Sequence, residues 1–471
     1  MIQVSGEILN IIHQKKPYIQ YTNLMKRRNF IMSTTTLAGG LLIAPQFVTA
    51  SKGKRISQND KINIGAIGIK GMGWANTNSL LKMNDVDLIA ICDVDQSVID
   101  QRLADHAKLR TNKPQVYRDY RELLNNKDID AVVIGTPDHW HCKMMVDAVQ
   151  AGKHVYVEKP IANSIKEANL MVAAQQKTNK IVQAGQWQRS GPHYRKAIEI
   201  VDSGVLGKIR LVKTWAYQGW MKPVPVLPDA TPPPGVDYKQ WLGPAPTRPF
   251  NPNRFHFNFR WFWDYAGGLM TDWGVHEIDI ALYAMKETAP ISVMASGGKL
   301  AYPDDAAETP DTLQAMFQYK NFNMLWEHAT GINTGPYNRT EGIAFIGNNG
   351  TLVVDRGGYE VFVEREAQGY SASGTPKMEP IEAFKKPAEV NYLDLHTQNF
   401  IEAIKKNDQN FLNTPIQSGS VAAINAQMGN IAYKTKSQVF WDAAKGSFVN
   451  NAEANKLISP QYHNGYKLPN V

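Results

Sequence analysis

Cysteine is nearly absent: the 471-residue chain has two, Cys92 and Cys142. That excludes a disulfide scaffold and a Cys-rich zinc or iron–sulfur module. Both are read as unpaired, Cys92 as a small buried apolar residue and Cys142 as a helix residue. The apolar stretch near the N-terminus, Leu37 to Val48, is short and broken by Gly39, Gly40 and Pro45. It is too short to span a bilayer, so stable membrane insertion is not expected. No internal repeat is found. Charge of one sign is also scarce. The net charge is +8, but five basic residues and one acid fall in residues 1–50, leaving 46 basic against 42 acidic. Those are scattered, which argues against nucleic acid as a partner. With 43% hydrophobic and 20% charged residues, the composition excludes a long disordered or collagen-like chain. The length predicts two or three domains with ample core.

The first 50 residues read as an address. Lys26-Arg27-Arg28 precedes the apolar stretch, which ends in Val48-Thr49-Ala50, a small-residue cleavage pattern. Arg27-Arg28-x-Phe30-Ile31 resembles the twin-arginine export signal. The resemblance implies passage through the twin-arginine translocon, cleavage near Ala50 and a periplasmic or otherwise exported protein. Because that route carries folded proteins, it also implies a tightly held cofactor. Residues 1–24 are either an extended leader or precede the true start at Met25.

Residues 60–185 read as a dinucleotide-binding domain. Ile62 to Gly68 is apolar and β-branched, and Trp74 to Met83 is helical. Between them lies Gly68-Ile69-Lys70-Gly71-Met72-Gly73, where a G-x-G-x-x-G phosphate turn belongs, with Lys70 in the middle glycine's place. Gly71 beside it can supply the backbone freedom, and Lys70 can reach a phosphate. A second strand, Val86 to Cys92, ends in Asp93, 20 residues after Gly73. This is the spacing of an acid that binds the adenosine ribose hydroxyls, and a carboxylate there repels a 2′-phosphate, so NAD is favoured over NADP. Further strands are expected at 130–135, 154–157 and 180–184. A helix starting at Thr136-Pro137-Asp138 runs to about Gln150, with Thr or Asp as N-cap, and Ser164-x-x-Glu167 forms a capping box. Strands alternating with helices predict a doubly wound parallel sheet.

Gly68 to Gly73, Asp93, Thr136-Pro137-x-x-x-His141, Glu158-Lys159-Pro160 and Asp272-x-x-x-His276 occur in that order. Together they resemble the Gfo/Idh/MocA family of glucose–fructose oxidoreductases and inositol dehydrogenases, over roughly residues 60–440. The resemblance implies an α/β chain: a Rossmann domain, then a substrate-binding and oligomerisation domain at 186–440 with a large, mostly antiparallel sheet. Residues 441–471 are left as a C-terminal tail. It also implies NAD as cofactor, held by Gly68, Lys70, Gly71, Gly73, Asp93, Thr136, Pro137, His141, Glu158 and Lys159. A cis Lys159-Pro160 bond and assembly into a homodimer or homotetramer are further implications. The later sequence agrees: Lys208 to Tyr217 alternates like a strand, 313–319 and 323–328 read as a hairpin pair, and Asn349-Gly350 is a hairpin turn. Ten of the 26 prolines lie between Pro223 and Pro252. With Trp241, Arg248 and Phe250 among them, that stretch is an ordered excursion near the site or an interface rather than a linker.

Asp272 and His276 are four apart, on one face of a predicted helix that Asp279 shares. Oxidising a secondary alcohol needs a hydride acceptor, a base for the hydroxyl proton and a positive group for the developing alkoxide. His276 suits the base and Lys159 the charge stabiliser and substrate anchor. By resemblance, Asp272 binds substrate hydroxyls and helps position His276. Arg189, after the last Rossmann strand, and Trp263, near Arg260 and Trp261 before Gly267-Gly268, are candidates for substrate contact. The eleven Trp offer surfaces for sugar stacking, although core packing is the commoner use. His139 and His141 are two apart and point in different directions on a helix, so no metal site is expected.

The resulting expectation is an exported NAD-dependent oxidoreductase acting on a secondary hydroxyl or keto group of a sugar, glycoside or cyclitol. The alternative is a redox-neutral NAD-dependent glycosidase of the α-N-acetylgalactosaminidase type from the same superfamily. Those enzymes carry a Tyr-Pro-Thr-His-type stretch where this chain has Asp272-x-x-x-His276.

Overall fold

The computed structural model describes residues 61–471. The export segment expected at residues 1–50 lies outside the described residues. Six strands form the first sheet: β1 (Ile62–Ile67), β2 (Val86–Cys92), β3 (Gln115–Tyr117), β4 (Ala131–Ile134), β5 (His154–Val157) and β6 (Val182–Ala184). Their order is β3-β2-β1-β4-β5-β6 and all pairs are parallel. Helices α1 (Gly71–Leu80), α2 (Gln96–Ala107), α3 (Tyr120–Asn125), α4 (Asp138–Gln150) and α5 (Ile165–Thr178) make the crossovers. The strands are continuous apolar runs because both faces are covered; Ala131–Ile134 is buried throughout.

Local details differ from expectation at two helix starts. The helix after β1 begins at Gly71, inside the turn, rather than at Trp74, because Lys70 is its extended N-cap residue. Pro137, not Thr or Asp, occupies the N-cap of α4, with no side-chain cap. Ser164 does cap α5, accepting from the Glu167 N–H and donating to its carboxylate at 2.8 Å. The Lys159-Pro160 bond is cis.

The second sheet has ten strands, and the elements of its domain begin with α6 (Pro192–Asp202), β7 (Leu211–Gln218), α7 (Tyr238–Leu242), α8 (Gly268–Asp272) and α9 (Gly274–Met285). Then come β8 (Ser292–Gly298), β9 (Thr312–Gln318), β10 (Asn323–Thr330), β11 (Glu341–Ile346), β12 (Gly350–Asp355), β13 (Gly358–Val363) and β14 (Phe384–Lys385). The chain closes with α10 (Tyr392–Lys406), α11 (Ile416–Thr435), β15 (Val439–Asp442), β16 (Ser447–Phe448) and α12 (Ala452–Lys456). The order is β14-β13-β12-β11-β7-β10-β9-β8-β15-β16, antiparallel except where β7 meets β10. The Asn349-Gly350 turn joins β11 to β12 with Ile346 opposite Thr351. One face of this sheet packs on α9 and α11 through Phe317, Trp326 and Phe345.

Three connections tie the Rossmann sheet to the rest of the chain. Helix α10 lies on α1, where Ser79 donates to Asp394 at 2.6 Å. The proline-rich excursion builds its own apolar cluster with Trp241, Phe250, Phe255 and Tyr265, and Trp140 of α4 donates to its Trp241 carbonyl at 3.0 Å. The last residues return to both parts: Tyr466 lies edge-on to Trp140 of the Rossmann domain, and Asn464 donates to the Gly243 and Ala245 carbonyls of the excursion. Among the described residues no helix is long and apolar enough to cross a membrane.

Candidate active site

The phosphate turn is built by backbone proximity. Gly68 has φ +74°, a left-handed conformation that disfavours side chains. A Cβ on Gly73 would sit 1.8 Å from the Gly68 carbonyl oxygen, so α1 can start here only on glycine. Lys70 has φ −89° and ψ 160°, which any residue adopts. The missing middle glycine therefore imposes no backbone strain, and the exposed Lys70 side chain adds a cation beside the helix N-terminus, where anions bind.

At the end of β2, Asp93 accepts from the Ile69 N–H at 2.9 Å and the Asp95 N–H at 3.1 Å. Burial outweighs those bonds and pushes its carboxyl up to about 6. A cavity of about 520 Å³ opens beside it, walled by Gly68, Lys70, Gly71, Asp93, Thr136, Pro137, Glu158 and Lys159. Trp241, Phe257 and Arg260 close it from the second domain. Arg102 and Arg118 also border it. Arg102 is bound to Asp105 and the Ile69 carbonyl, and Arg118 to the Val94 and Gly235 carbonyls. The cavity and the glycine cradle fit a dinucleotide.

Lys159 sits on that cavity wall at the end of β5 and donates to both the Asp272 carbonyl (2.8 Å) and its Oδ1 (2.9 Å). Arg260 Nε donates to the same Oδ1 at 3.1 Å. Burial opposes ionisation of Asp272, but the charges of Lys159 and Arg260 outweigh it and hold the carboxyl well below the usual carboxylate range. Glu158 is held by Asn76 (2.7 Å) and the Lys159 N–H (3.1 Å). Asp138, the first residue of α4, also faces the cavity, and burial pushes it up to about 8.

Asp272 and His276 do not share one helix. Helix α8 ends at Asp272, Trp273 interrupts, and α9 starts at Gly274. Asp272 bonds Lys159 and Arg260 rather than the imidazole. His276 is buried between the Trp187 and Trp273 rings (centroids 5.9 and 6.1 Å away), and its Nδ1 has no hydrogen-bond partner among the described residues. Burial, then the charges of Lys159 and Arg356, keep the imidazole pKa well below the usual value. His276 does not wall the dinucleotide cavity; Lys159 links the two.

Other expected contacts are placed differently. Arg189 forms a buried bidentate pair with Asp279, both bonds 2.7 Å, and stacks on Tyr283. Its donors are thus committed to holding the turn at Trp187–Ser190 against helix α9. Trp263 donates to the Glu308 carbonyl and packs on Tyr433 and Lys434, away from the cavity. His141 is buried with its ring nitrogens 2.7 Å from the Pro160 carbonyl and 2.8 Å from that of Thr136. It ties the Lys159-Pro160 loop to the α4 entry and does not wall the cavity. His139 is buried against the Trp241 carbonyl. Sequence reasoning names Arg260 and Asp138 only as neighbours of other motifs and misses Arg356 entirely, since their partners lie far along the chain.

Comparison with known proteins agrees with the fold. Residues 62–186 match the model of an oxidoreductase family with an NAD-binding Rossmann fold, and residues 191–350 match that family's C-terminal alpha/beta domain. Arg356 lies just past the second match. An alpha-N-acetylgalactosaminidase of Shewanella oneidensis is 29% identical over 201 residues, covering 39% of this chain and 44% of that protein. The chain thus matches less than half the length of this relative. A levoglucosan dehydrogenase solved with NADH superposes with a TM-score of 0.61 at 18% identity, covering 81% of this chain and 99% of that one. A myo-inositol 2-dehydrogenase from Lactobacillus plantarum gives 0.59 at 17% identity, with 81% and 100% covered. At those identities the structures share the fold.

Proposed function

The chain belongs to the Gfo/Idh/MocA oxidoreductase family, with an NAD-binding Rossmann domain, and we propose that it moves hydride between a tightly bound NAD and a secondary hydroxyl or keto group of a sugar, glycoside or cyclitol. The observation that carries this reading is Lys159, which walls the dinucleotide cavity while bonded to Asp272. It joins cofactor and substrate chemistry in one side chain. Gly68, Lys70, Gly71 and Gly73 would hold the pyrophosphate, Asp93 the adenosine ribose, and Thr136, Pro137 and Glu158 the nicotinamide half. The bound nicotinamide supplies the hydride acceptor and donor. Lys159 stabilises negative charge developing on the substrate oxygen. Asp272, fixed by Lys159 and Arg260, accepts hydrogen bonds from substrate hydroxyls. His276, neutral at physiological pH, takes the hydroxyl proton in oxidation and returns it in reduction.

The relative named as a glycosidase favours a second reading. In it, oxidation activates a glycoside for elimination of its aglycone, water adds, and hydride returns, with no net redox change. The same three side chains serve its first and last steps. Nicotinamide fluorescence separates the two. A lasting rise on adding one sugar marks a dehydrogenase, whereas nucleotide-dependent aryl-glycoside cleavage without a lasting rise marks the glycosidase.

Export through the twin-arginine route is part of the proposal, supported by Arg27-Arg28-x-Phe30-Ile31 and Val48-Thr49-Ala50. So is a homodimer or homotetramer. Its support is a pair of methionines on the outer face of the second sheet, Met294 and Met316, which lie opposite each other, each 41% exposed.

A further inference from the structure

Among the described residues, Arg356 is the one guanidinium beside the candidate base that makes no ion pair. It lies in the tight turn from β12 to β13, with its guanidinium carbon over the indoles of Trp187 (4.4 Å) and Trp273 (4.3 Å), the rings that flank His276. One Nη donates to the Gln188 side chain at 3.2 Å, and the buried Nε–H has no partner among the described residues. The carboxylate beside it in sequence, Asp355, is taken by Arg339 at 2.7 Å.

Charge at the site is correspondingly unbalanced. Lys159 and Arg260 share the Asp272 carboxylate. Of the other nearby acids, Glu277 and Asp138 are pushed up to about 8 by burial, so they are mostly protonated near pH 7, and burial raises Glu158 as well. Lys159, Arg260 and Arg356 thus face the Asp272 and Glu158 carboxylates, and among the described residues Arg356 alone of the three has no carboxylate bonded to it. Partly buried cations without counter-ions are costly unless a ligand supplies the anion. A guanidinium held over indoles keeps its in-plane N–H donors for an anion, and those donors match a planar carboxylate.

We propose that Arg356 anchors a carboxylate on the substrate, so that the sugar handled here is an acidic one, a uronic acid or its glycoside. This rests on the oxidoreductase reading for the site's position. Neutral sugars would satisfy Lys159 and Asp272 but leave Arg356 unpaired.

The test is calorimetric titration of the full-length protein, nucleotide retained, with matched methyl glycosides and methyl uronides of glucose and galactose. At least one uronide is expected to bind about tenfold or more tighter than its neutral partner, with an advantage that falls as salt rises. In Arg356→Met that ratio should collapse towards one, and Arg356→Lys should keep part of it. Equal binding of both members of each pair by the wild-type protein overturns the proposal without any variant. So does an unchanged ratio in Arg356→Met, or tighter binding of hexose 6-phosphates than of uronides. Nicotinamide fluorescence followed in the same samples reports the oxidoreductase reading separately. A uronide preference without any nucleotide reduction leaves the anchor standing and removes the hydride-transfer assignment.

Discussion

His276 is buried, lacks a partner on Nδ1 among the described residues and lies near the charges of Lys159 and Arg356, so its imidazole stays neutral where an ordinary histidine half-titrates. Replacing it with alanine should lower kcat by about 10²–10⁴, measured in the direction of sugar oxidation. Lys159→Met should cost about 10²–10³ by removing charge stabilisation; wild-type rates in either variant would remove that side chain from the mechanism. Glu277, next to His276 in sequence, makes a prediction for stability instead. Its folded pKa is raised to about 8 by burial, against an ordinary value of 4.5. The native state therefore binds the extra proton between those values, and stability contributed by the protonated form is lost as pH rises through the window. The slope is at most about 1.4 kcal/mol per pH unit. Glu277→Gln should flatten the decline of Tm from pH 5 to 8, and an unchanged decline would assign it elsewhere.

At the scale of elements, the phosphate turn is legible in the sequence because it is local. Glycine spacing, an apolar strand before it and an acid 20 residues on place β1, α1 and β2 together without tertiary information. Its departure at Lys70 is harmless for a local reason too, the extended backbone of that residue. Gly73 admits no such exchange. Gly73→Ala should abolish nucleotide retention while β1 still folds, read as loss of copurifying nucleotide; full retention would contradict the close approach of α1 to Gly68. The segment around Asp272 reads as one helix because its i, i+4 spacing fits a helix face. In the fold Trp273 interrupts it, and Asp272 turns to Lys159, 113 residues earlier. Arg189, Trp263 and His141 depart from their expected places for the same reason. Asp279, Glu308 and the Pro160 carbonyl claim them, and no sequence pattern records such partners.

For the whole molecule, the residue pattern announces a parallel Rossmann sheet and then a mostly antiparallel one. It does not announce that the second sheet has ten strands, or that α10 and the last residues return to the first domain. Those contacts are set by tertiary burial. Because the dinucleotide cavity is walled from both domains, bound nucleotide should brace the entire fold. At one hundred times its Kd, NAD adds about 2.7 kcal/mol, so stripping it should lower Tm and adding it back should restore the loss. The most direct test of the central claim is to identify the nucleotide released from the denatured full-length protein, then follow nicotinamide fluorescence of the intact protein through a panel of sugars, uronides and cyclitols. The account predicts NAD, together with a lasting fluorescence rise on adding one of them. A protein that carries no nucleotide and binds none when NAD is supplied would contradict it.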